Sequence, residues 1–296
     1  MTFGILGNID KPVLKEVTEH LLRYLKETGI SYVIHEDIGR LLDGEGTGAG
    51  VEPEFLVSEQ KLLQKSDMLI ALGGDGTMLA TARLVGARGV PVLGVNLGKL
   101  GFLAEVSVSD MHDCIAEIAR GQYLVEERTV LQARNEQESR PFFALNEVVV
   151  DRGSSPRVIE LETHVNGEYL VTYAADGIIT TTPTGSTAYS LASGGPIVVP
   201  QSNVLTINPI SPHTLTARAV IVPDDSVITV AVRSSSKPVH MTADGQIEGF
   251  FETPTTFVIQ KAPYTVKLVK RMKRSYFDLL RTKLMWGRDL RLGSSG

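Results

Sequence analysis

A single carboxylate stands among three glycines in the segment Gly73-Gly74-Asp75-Gly76-Thr77. The run Asp67–Leu72 before it predicts a buried strand of a parallel sheet, and a helix is predicted after it over residues 78–85. Ligands of open α/β sheets bind beyond the carboxyl ends of strands, where glycines allow close approach and helix N–H groups can face phosphate oxygens. Asp75 can accept a hydroxyl proton there during phosphoryl transfer, or it can simply cap the helix; the spacing alone leaves both roles open.

Two further segments offer polar groups at the ends of predicted strands. Asn96-Leu97-Gly98-Lys99-Leu100-Gly101-Phe102-Leu103 follows a strand predicted over residues 90–95, and by itself it favours a tight turn. The third segment, DGIITTTPTGSTAYS at residues 176–190, predicts a short strand, a hydroxyl-rich turn and a helix. Its hydroxyls and the aromatic face of Tyr189 suit a ribose and a flat base.

The elements that must position these segments fall into two patterns. Residues 1–125 alternate apolar runs with amphipathic stretches, which is typical of a Rossmann-like α/β unit with a parallel sheet. Strands are predicted at residues 2–6, 31–35, 67–72 and 90–95, and helices at residues 13–25 and 111–119. The segment Gly44–Ala49 fits the letters of a G-x-G-x-x-A fingerprint, but no helix is predicted after it, so we interpret it as a surface loop.

Beyond residue 126 the chain predicts short strands separated by turn signals. Asn166-Gly167, between runs at 158–165 and 168–173, is the strongest hairpin signal. A final helix is predicted over Ser275–Trp286, with Ser275 as N-cap and with an apolar stripe of Phe277, Leu280, Leu284 and Met285. We therefore expect an α/β nucleotide-binding domain at 1–125, an all-β domain at 126–271, and a C-terminal helix at 272–292 that packs on the first domain.

Composition narrows the classes of function. The chain has 296 residues and a net charge of −5, so its total charge does not indicate a nucleic-acid binder. One cysteine, Cys114, excludes an intrachain disulfide, and we expect it to pack inside a helix. Because no run approaches the roughly 18 apolar residues of a membrane span, and no signal peptide is evident, we expect a cytoplasmic protein without a membrane partner.

Taken in order, the motifs GGDGT, NLGKLGFL, Asn146-Glu147 and DGIITTTPTGSTAYSLASGGPIV resemble those of the NAD kinase family. GGDGT alone is unspecific, because lipid kinases carry it too, whereas the TPTGSTAYS block is highly specific. The resemblance implies an enzyme that phosphorylates the 2′-hydroxyl of the adenosine ribose of NAD to give NADP, with ATP or polyphosphate as the donor.

The resemblance also assigns roles to individual residues. Asp75 becomes the general base and, with Gly76, contacts the NAD ribose; Phe102 packs against the adenine, and Asn146 and Glu147 hold the adenosine hydroxyls. A carboxylate at 147 suits a diol because it accepts hydrogen bonds. The remaining residues implied to line the pocket or contact phosphate are Arg157, Asp176, Thr187, Ala188, Tyr189, Ser190, Ala192 and Gln246.

Cofactors and partners follow from the same resemblance. It implies a divalent metal ion, Mg²⁺ by analogy, which would bridge the donor phosphates, although the sequence does not identify its protein ligands. It also implies a homodimer or homotetramer, in which Asp176 and the 187–190 turn can come from a neighbouring subunit.

Two other functions stay open at this point. A lipid kinase shares the GGDGT motif, but it needs an acyl-chain groove or a membrane contact, and no amphipathic anchor is evident. A nucleotide-binding regulator without catalysis, such as an NAD(H) sensor, would not need the carboxyl groups of Asp75 and Glu147.

Overall fold

The structure is a computed structural model that describes residues 1–43, 52–234, 238–272 and 275–286. The loop predicted at Gly44–Ala49 and the end of the predicted C-terminal segment, 287–292, lie outside these described residues. The chain divides into two compact units. The first comprises the described parts of Met1–Thr81, Val90–Glu126 and Lys267–Gly296, and the second comprises Ala82–Gly89 and Glu127–Val266. The domain limits at residues 125 and 271 stay predictions.

The first unit is built on a parallel sheet with the spatial order β6-β5-β4-β1-β2-β3. Its strands are β1 (Thr2–Gly7), β2 (Ser31–His35), β3 (Leu56–Val57), β4 (Met68–Gly73), β5 (Val92–Asn96) and β6 (Val106–Ser107). Every residue of β4 and β5 is buried, which is why these two strands are continuously apolar in sequence. The strands predicted from the sequence are confirmed.

Helices connect these strands and close the chain. They are α1 (Leu14–Thr28), α2 (Glu36–Asp43), α3 (Glu59–Lys65), α4 (Asp75–Val85), α5 (Met111–Ala119) and α7 (Tyr276–Leu284), whereas α6 (Tyr189–Ala192) lies in the second unit. α1 buries its leucines and ends at Gly29, whose φ of 69° suits a residue without a Cβ. Cys114 is buried in α5, as predicted.

The final helix α7 belongs to the first unit, as expected, but its predicted apolar stripe is wrong in part. Ser275 is the predicted N-cap, and its side chain accepts a hydrogen bond from the N–H of Phe277. Leu279 and Leu280 are buried, whereas the side chains of Phe277 and Met285 are exposed. Met285 leaves the helical face because it ends the helix in the left-handed region, with φ of 54°.

The second unit is an all-β domain of antiparallel strands in two sheets. One group of paired strands has the order β11-β10-β15-β18, with β7 paired to β18 and β8 paired to β7; the other sheet has the order β14-β13-β12-β9-β16-β17. The end of β18, from Lys267, belongs to the first unit, where Leu268 pairs in parallel with Val92 of β5. The strands are β7 (Leu124–Asn135), β8 (Phe142–Ala144), β9 (Glu147–Asp151), β10 (Ile159–Val165), β11 (Glu168–Ala175), β12 (Gly177–Thr181), β13 (Val204–Ile210), β14 (Val220–Pro223), β15 (Ile228–Arg233), β16 (Val239–Ala243), β17 (Ile247–Phe251) and β18 (Thr255–Lys270).

The core of this unit takes side chains from both sheets. Leu161, Val230 and Phe257 of one sheet share a buried cluster with Ile178 and Met241 of the other. The β10–β11 hairpin turns at Asn166 and Gly167, whose φ angles of 53° and 82° match the predicted turn. The predicted fold class, an α/β domain followed by an all-β domain and a final helix, is confirmed.

Candidate functional site

The carboxylate of Asp75 is fixed by backbone donors at the carboxyl end of β4. Its Oδ2 accepts a hydrogen bond from the N–H of Phe102 at 2.8 Å. Its Oδ1 accepts two more, from the N–H groups of Leu103 at 2.9 Å and Ala104 at 3.1 Å. Asp75 thus opens α4 and also holds the loop that follows β5, which is more than the helix cap considered from the sequence alone.

The loop 97–104 is shaped for this close approach. A Cβ at Gly101 would collide with Oδ1 of Asp75, so a residue without a side chain is required there. Asn96 at the end of β5 braces the loop from inside, since its Nδ2 donates to the carbonyl of Lys99 at 2.8 Å and its Oδ1 accepts from the N–H of Gly98 at 2.7 Å.

The other predicted residues of the first unit lie beside Asp75. Phe102 is half-buried in the same loop, and the Nζ atom of Lys283 lies 5.5 Å from the centre of its ring. Gly76 is exposed in the first turn of α4. The first unit therefore brings Asp75, Gly76 and Phe102 together at the carboxyl ends of β4 and β5, where α/β sheets bind ligands.

In the second unit a carboxylate holds the backbone of the predicted pair Asn146-Glu147 through hydrogen bonds. Asp244, in the turn between β16 and β17, accepts hydrogen bonds from the N–H groups of Leu145 at 2.9 Å, Asn146 at 2.7 Å and Glu147 at 3.3 Å. The N–H of Asp244 donates in return to the carbonyl of Glu147 at 2.9 Å. Asp244 has φ of 55°, a turn conformation that aspartate tolerates and that the following glycine supports.

Glu147 has the most strongly shifted pKa among the carboxyl groups of this site. Its burial and the nearby charge of Asp244 raise its pKa to about 8, against one hydrogen bond from the backbone N–H of Tyr189 that lowers it. The sequence treats Glu147 as a carboxylate, whereas this raised pKa favours the protonated acid. Its Oε2 atom is buried and has no hydrogen-bond partner among the described residues, so it can serve a ligand.

The hydroxyl-rich turn after β12 packs directly on the same segment. Thr182 Oγ1 donates to the carbonyl of Leu145 at 2.6 Å, and Thr181 Oγ1 donates to the carbonyl of Asn146 at 2.9 Å. A Cβ at Gly185 would collide with the carbonyl oxygen of Asn146. These threonines therefore serve the backbone, while the hydrogen bond from Tyr189 to Glu147 joins the 187–190 turn to Asn146-Glu147 within one chain.

The remaining residues of the 187–192 turn differ in exposure. Tyr189 and Ala192 are exposed, and Thr187 and Ala188 are half-buried, so these four can meet a ligand. Ser190 is fully buried, and its carbonyl accepts a hydrogen bond from Asn208 Nδ2 at 3.1 Å. Ser190 therefore stabilises the turn in this structure.

Three further predicted residues make no contact with Glu147 that the structure records, and one of them, Asp176, is far from it. Asp176 precedes β12 and pairs with Arg152 Nε at 2.6 Å. Because Thr181, not Gly177, faces Glu147, the strand separates Asp176 from Glu147 by roughly 15 Å. Arg157 is exposed, and Gln246 accepts a hydrogen bond from Arg83 Nη1 at 2.9 Å.

The sequence did not single out Asp244, Asn96 or Asn208 as functional residues. Asp244-Gly245 is a turn signal, but nothing local reveals that its carboxylate serves residues 145–147. Asn96 directly follows a predicted strand. A polar residue at that position could have indicated a side chain that holds the following loop through hydrogen bonds. Asn208 carries no comparable signal, since it lies inside strand β13.

The described residues also show whether side chains cluster to bind a metal and whether a helix could span a membrane. Within them, no group of three or more His, Cys, Asp or Glu side chains could hold a metal ion. Mg²⁺ itself often keeps several waters and binds through nucleotide phosphates. No helix in the described part of the chain is long and apolar enough to cross a membrane.

Comparison with known proteins decides the family. Residues 3–123 match the family model of the ATP-NAD kinase N-terminal domain, and residues 145–271 match that of the ATP-NAD kinase C-terminal domain. The chain belongs to the NAD kinase family. As a member of this family it is a kinase, that is, a phosphotransferase acting on NAD.

Relatives in the NAD kinase family match over the whole chain. An NAD kinase of Bacteroides fragilis is 41% identical over 295 residues, which is 99% of this chain and 100% of the relative. An NAD kinase of Geotalea daltonii is 38% identical over 96% of this chain and 98% of its own length.

Solved structures of an NADH kinase and an NAD kinase share the fold. The structure of yeast NADH kinase complexed with NADH has a TM-score of 0.89 and 25% identity, and it covers 99% of this chain and 90% of its own. An NAD kinase from Archaeoglobus fulgidus in complex with ATP has a TM-score of 0.75 and 21% identity, covering 96% of this chain and 99% of its own. The second likeness is one of fold alone.

Proposed function

We propose that this enzyme transfers the γ-phosphoryl group of ATP to the 2′-hydroxyl of the adenosine ribose of NAD, giving NADP. The observation that carries the proposal is the carboxylate of Asp75 at the end of β4, held by three backbone N–H groups. A carboxylate in a fixed position can take the proton of an attacking hydroxyl as the phosphorus–oxygen bond forms, and ADP leaves with the bridging oxygen.

Within this proposal, Oδ2 is the basic atom of Asp75. Oδ1 accepts two of the three N–H bonds and Oδ2 accepts one. An ionised carboxylate offers about four acceptor positions, so Oδ2 keeps one for the ribose hydroxyl. The three N–H groups fix the carboxylate before the substrate arrives, which reduces the reorganisation needed at the transition state.

Substrate binding uses Asn146 and Glu147 for the adenosine hydroxyls. Glu147 suits this role because its buried Oε2 lacks a partner among the described residues and, when protonated, can donate to a ribose oxygen. Phe102 packs against the adenine and Gly76 leaves room for the ribose. The rest of the dinucleotide contacts Asp176, Thr187, Ala188, Tyr189, Ser190 and Ala192, with Arg157 and Gln246 as phosphate contacts.

The phosphoryl donor is ATP, in keeping with the family models, which are those of ATP-NAD kinases. We propose that Mg²⁺ enters with the nucleotide and is held by donor phosphates and waters, and no step is assigned to a protein-bound metal. Assembly as a homodimer or homotetramer and a cytoplasmic location stay predictions from the resemblance and the composition.

A coupled assay tests the proposal directly. The purified protein is incubated with NAD, ATP and Mg²⁺, and NADP is detected with a dehydrogenase specific for it. We expect NADP to form with NAD and not with 2′-deoxy-NAD. If no NADP forms from NAD, or if the 2′-deoxy analogue is phosphorylated equally well, the proposed function is wrong.

A further inference from the structure

The last helix, α7, touches the loop that holds Asp75 through one side chain. Lys283, in the last turn of α7, donates a hydrogen bond from Nζ to the carbonyl of Leu100. The same ammonium group lies 5.5 Å from the ring centre of Phe102, within the range of a cation–π interaction. Lys283 thus makes two contacts with one loop, on either side of Gly101.

That loop is also the one whose backbone holds the carboxylate of Asp75. The residue after Leu100 is Gly101, and the next three N–H groups, from Phe102 to Ala104, all donate to Asp75. A shift of the loop therefore moves these donors together. A displacement of about 1 Å at a reacting group can cost on the order of 10²-fold in rate, so the position of this loop matters for catalysis.

The helix that carries Lys283 has its own anchors in the first unit. Leu279 and Leu280 are buried, and Ser275 caps the first turn. Lys283 follows Leu279 by four residues and so lies on the same face of the helix. The buried leucines fix the helix, and Lys283 extends from it to the loop.

We propose that Lys283 is a positioning residue for the reaction: α7 fixes the loop 100–104 through Lys283, and the loop fixes the carboxylate of Asp75 and the ring of Phe102. The inference rests on the proposed function, because it assigns Lys283 an effect on the base and on the adenine contact. Coupling of this kind is reciprocal, so a ligand that contacts the loop also changes the environment of α7.

The chain offers a matched pair of substitutions on α7. Lys283→Met keeps an unbranched stem but loses both the charge and the donor, whereas Lys283→Arg keeps them. Arg281→Met makes the same kind of change on the exposed side of the helix, where Arg281 pairs with Asp278 of the preceding turn. The first variant tests the contact with the loop, and the third controls for loss of a cation from α7.

Activity gives the first readout. We expect Lys283→Met to lower kcat roughly 10- to 100-fold with little change in KM for ATP. Lys283→Arg should stay within about threefold of wild type, because a guanidinium can make both contacts. Arg281→Met should match wild type. A Lys283→Met enzyme with the kcat of Arg281→Met would overturn the inference.

The single tryptophan of the chain gives a readout that does not depend on activity. Trp286 lies just after α7 and is half exposed, so its fluorescence reports on this end of the helix. NAD should change the Trp286 emission in wild type and in Lys283→Arg, and the change should be lost in Lys283→Met. If NAD does not change the Trp286 emission of wild type, or changes it equally in all variants, the inference is contradicted.

The two readouts separate this inference from the proposed function. A wild-type protein that makes no NADP contradicts the proposed function, whereas an active wild type with an unaffected Lys283→Met contradicts only the role of Lys283. If Lys283→Met does not fold, Lys283→Gln and the NAD titration of wild type take its place with the same expected outcomes.

Discussion

Asp244 and Glu147 are joined by two hydrogen bonds, one between their backbones and one to the Asp244 carboxylate, which bring two buried acidic residues together. The N–H of Asp244 donates to the carbonyl of Glu147 at 2.9 Å, and the N–H of Glu147 donates to Oδ1 of Asp244 at 3.3 Å. Asp244 receives three N–H bonds, which support its charge, although burial raises its pKa more than these bonds lower it. Glu147 receives one such bond, so burial and the charge of Asp244 raise its pKa to about 8.

The first prediction concerns the pH dependence of stability. Glu147 has a pKa of about 8 when folded and an ordinary value of 4.5. Between these values the folded chain binds one more proton than the unfolded chain, so the free energy of unfolding falls as pH rises, by up to about 1.4 kcal/mol per pH unit. Glu147→Gln removes this titration. Its stability relative to wild type should therefore increase from about pH 5 to pH 8 in urea unfolding.

The exposed residue Glu160 supplies the control for that experiment. Glu160→Gln makes the same chemical change on the solvent side of β10, and the pH dependence of Glu147→Gln is measured against it. The same pH dependence in both variants would mean that Glu147 titrates normally and is ionised at pH 7.

The second prediction concerns how Glu147 binds NAD. If the neutral acid is the binding form, glutamine imitates it, because each has an uncharged donor group beside a carbonyl acceptor. We expect Glu147→Gln to keep KM for NAD within about threefold of wild type at pH 7, and Glu147→Ala to raise it by tenfold or more. KM for ATP should change little in either variant. A Glu147→Gln enzyme as impaired as Glu147→Ala would show instead that NAD needs the ionised form.

The third prediction assigns Asp244 to the support of Asn146-Glu147. In Asp244→Asn one oxygen becomes an NH₂ group, which leaves at least one backbone N–H without an acceptor and costs about 1–3 kcal/mol in the free energy of unfolding. We expect KM for NAD to rise by a larger factor than kcat falls, because Asp244 supports Asn146-Glu147, the segment proposed to bind NAD. Asp225→Asn on an exposed turn is the control, and steady-state kinetics with unfolding curves give the comparison. Equal stability of the two variants would remove Asp244 from this role.

The fourth prediction uses two glycines of the loop after β5. A Cβ at Gly101 would collide with Oδ1 of Asp75, whereas the nearest atom to a Cβ at Gly98 is Asn96 Oδ1 at 3.9 Å. Gly101→Ala should therefore displace the loop or the carboxylate and lower kcat by on the order of 10²-fold, while Gly98→Ala should be close to wild type. Similar turnover in the two variants would show that the Asp75 contact with this loop does not matter for catalysis.

Local patterns in the sequence predicted much of the fold. Continuous apolar runs identified the buried strands β4 and β5, and Asn166-Gly167 identified a hairpin. The strand β18 has 16 residues, whereas the sequence predicts only short strands beyond residue 126, because its length depends on pairing with β15 and β7, which are distant in sequence. Pro263 falls at an exposed position of this strand and interrupts the pattern that would have revealed it.

The candidate site was predictable as motifs but not as contacts. Asp75, Asn146 and Glu147 stand in recognisable segments, whereas the N–H groups that hold Asp75 come from a loop 27 to 29 residues further on. The donors to Asp244 lie 97 to 99 residues away. The raised pKa of Glu147 follows from its burial, which depends on the strands paired with β9 and on the 187–190 turn. No single segment of sequence could therefore reveal it.

The central claim is that Asp75 removes the proton from the ribose hydroxyl, and Asp75→Asn tests it with two measurements on one protein. Asparagine keeps an oxygen for the N–H groups of Leu103 and Ala104, so the loop retains two of its three bonds to residue 75. We expect kcat to fall by about 10²–10⁴-fold while the Kd for NAD, measured by calorimetry, stays within about tenfold of wild type. A folded Asp75→Asn enzyme that binds NAD and turns it over at a near-normal rate would contradict the account.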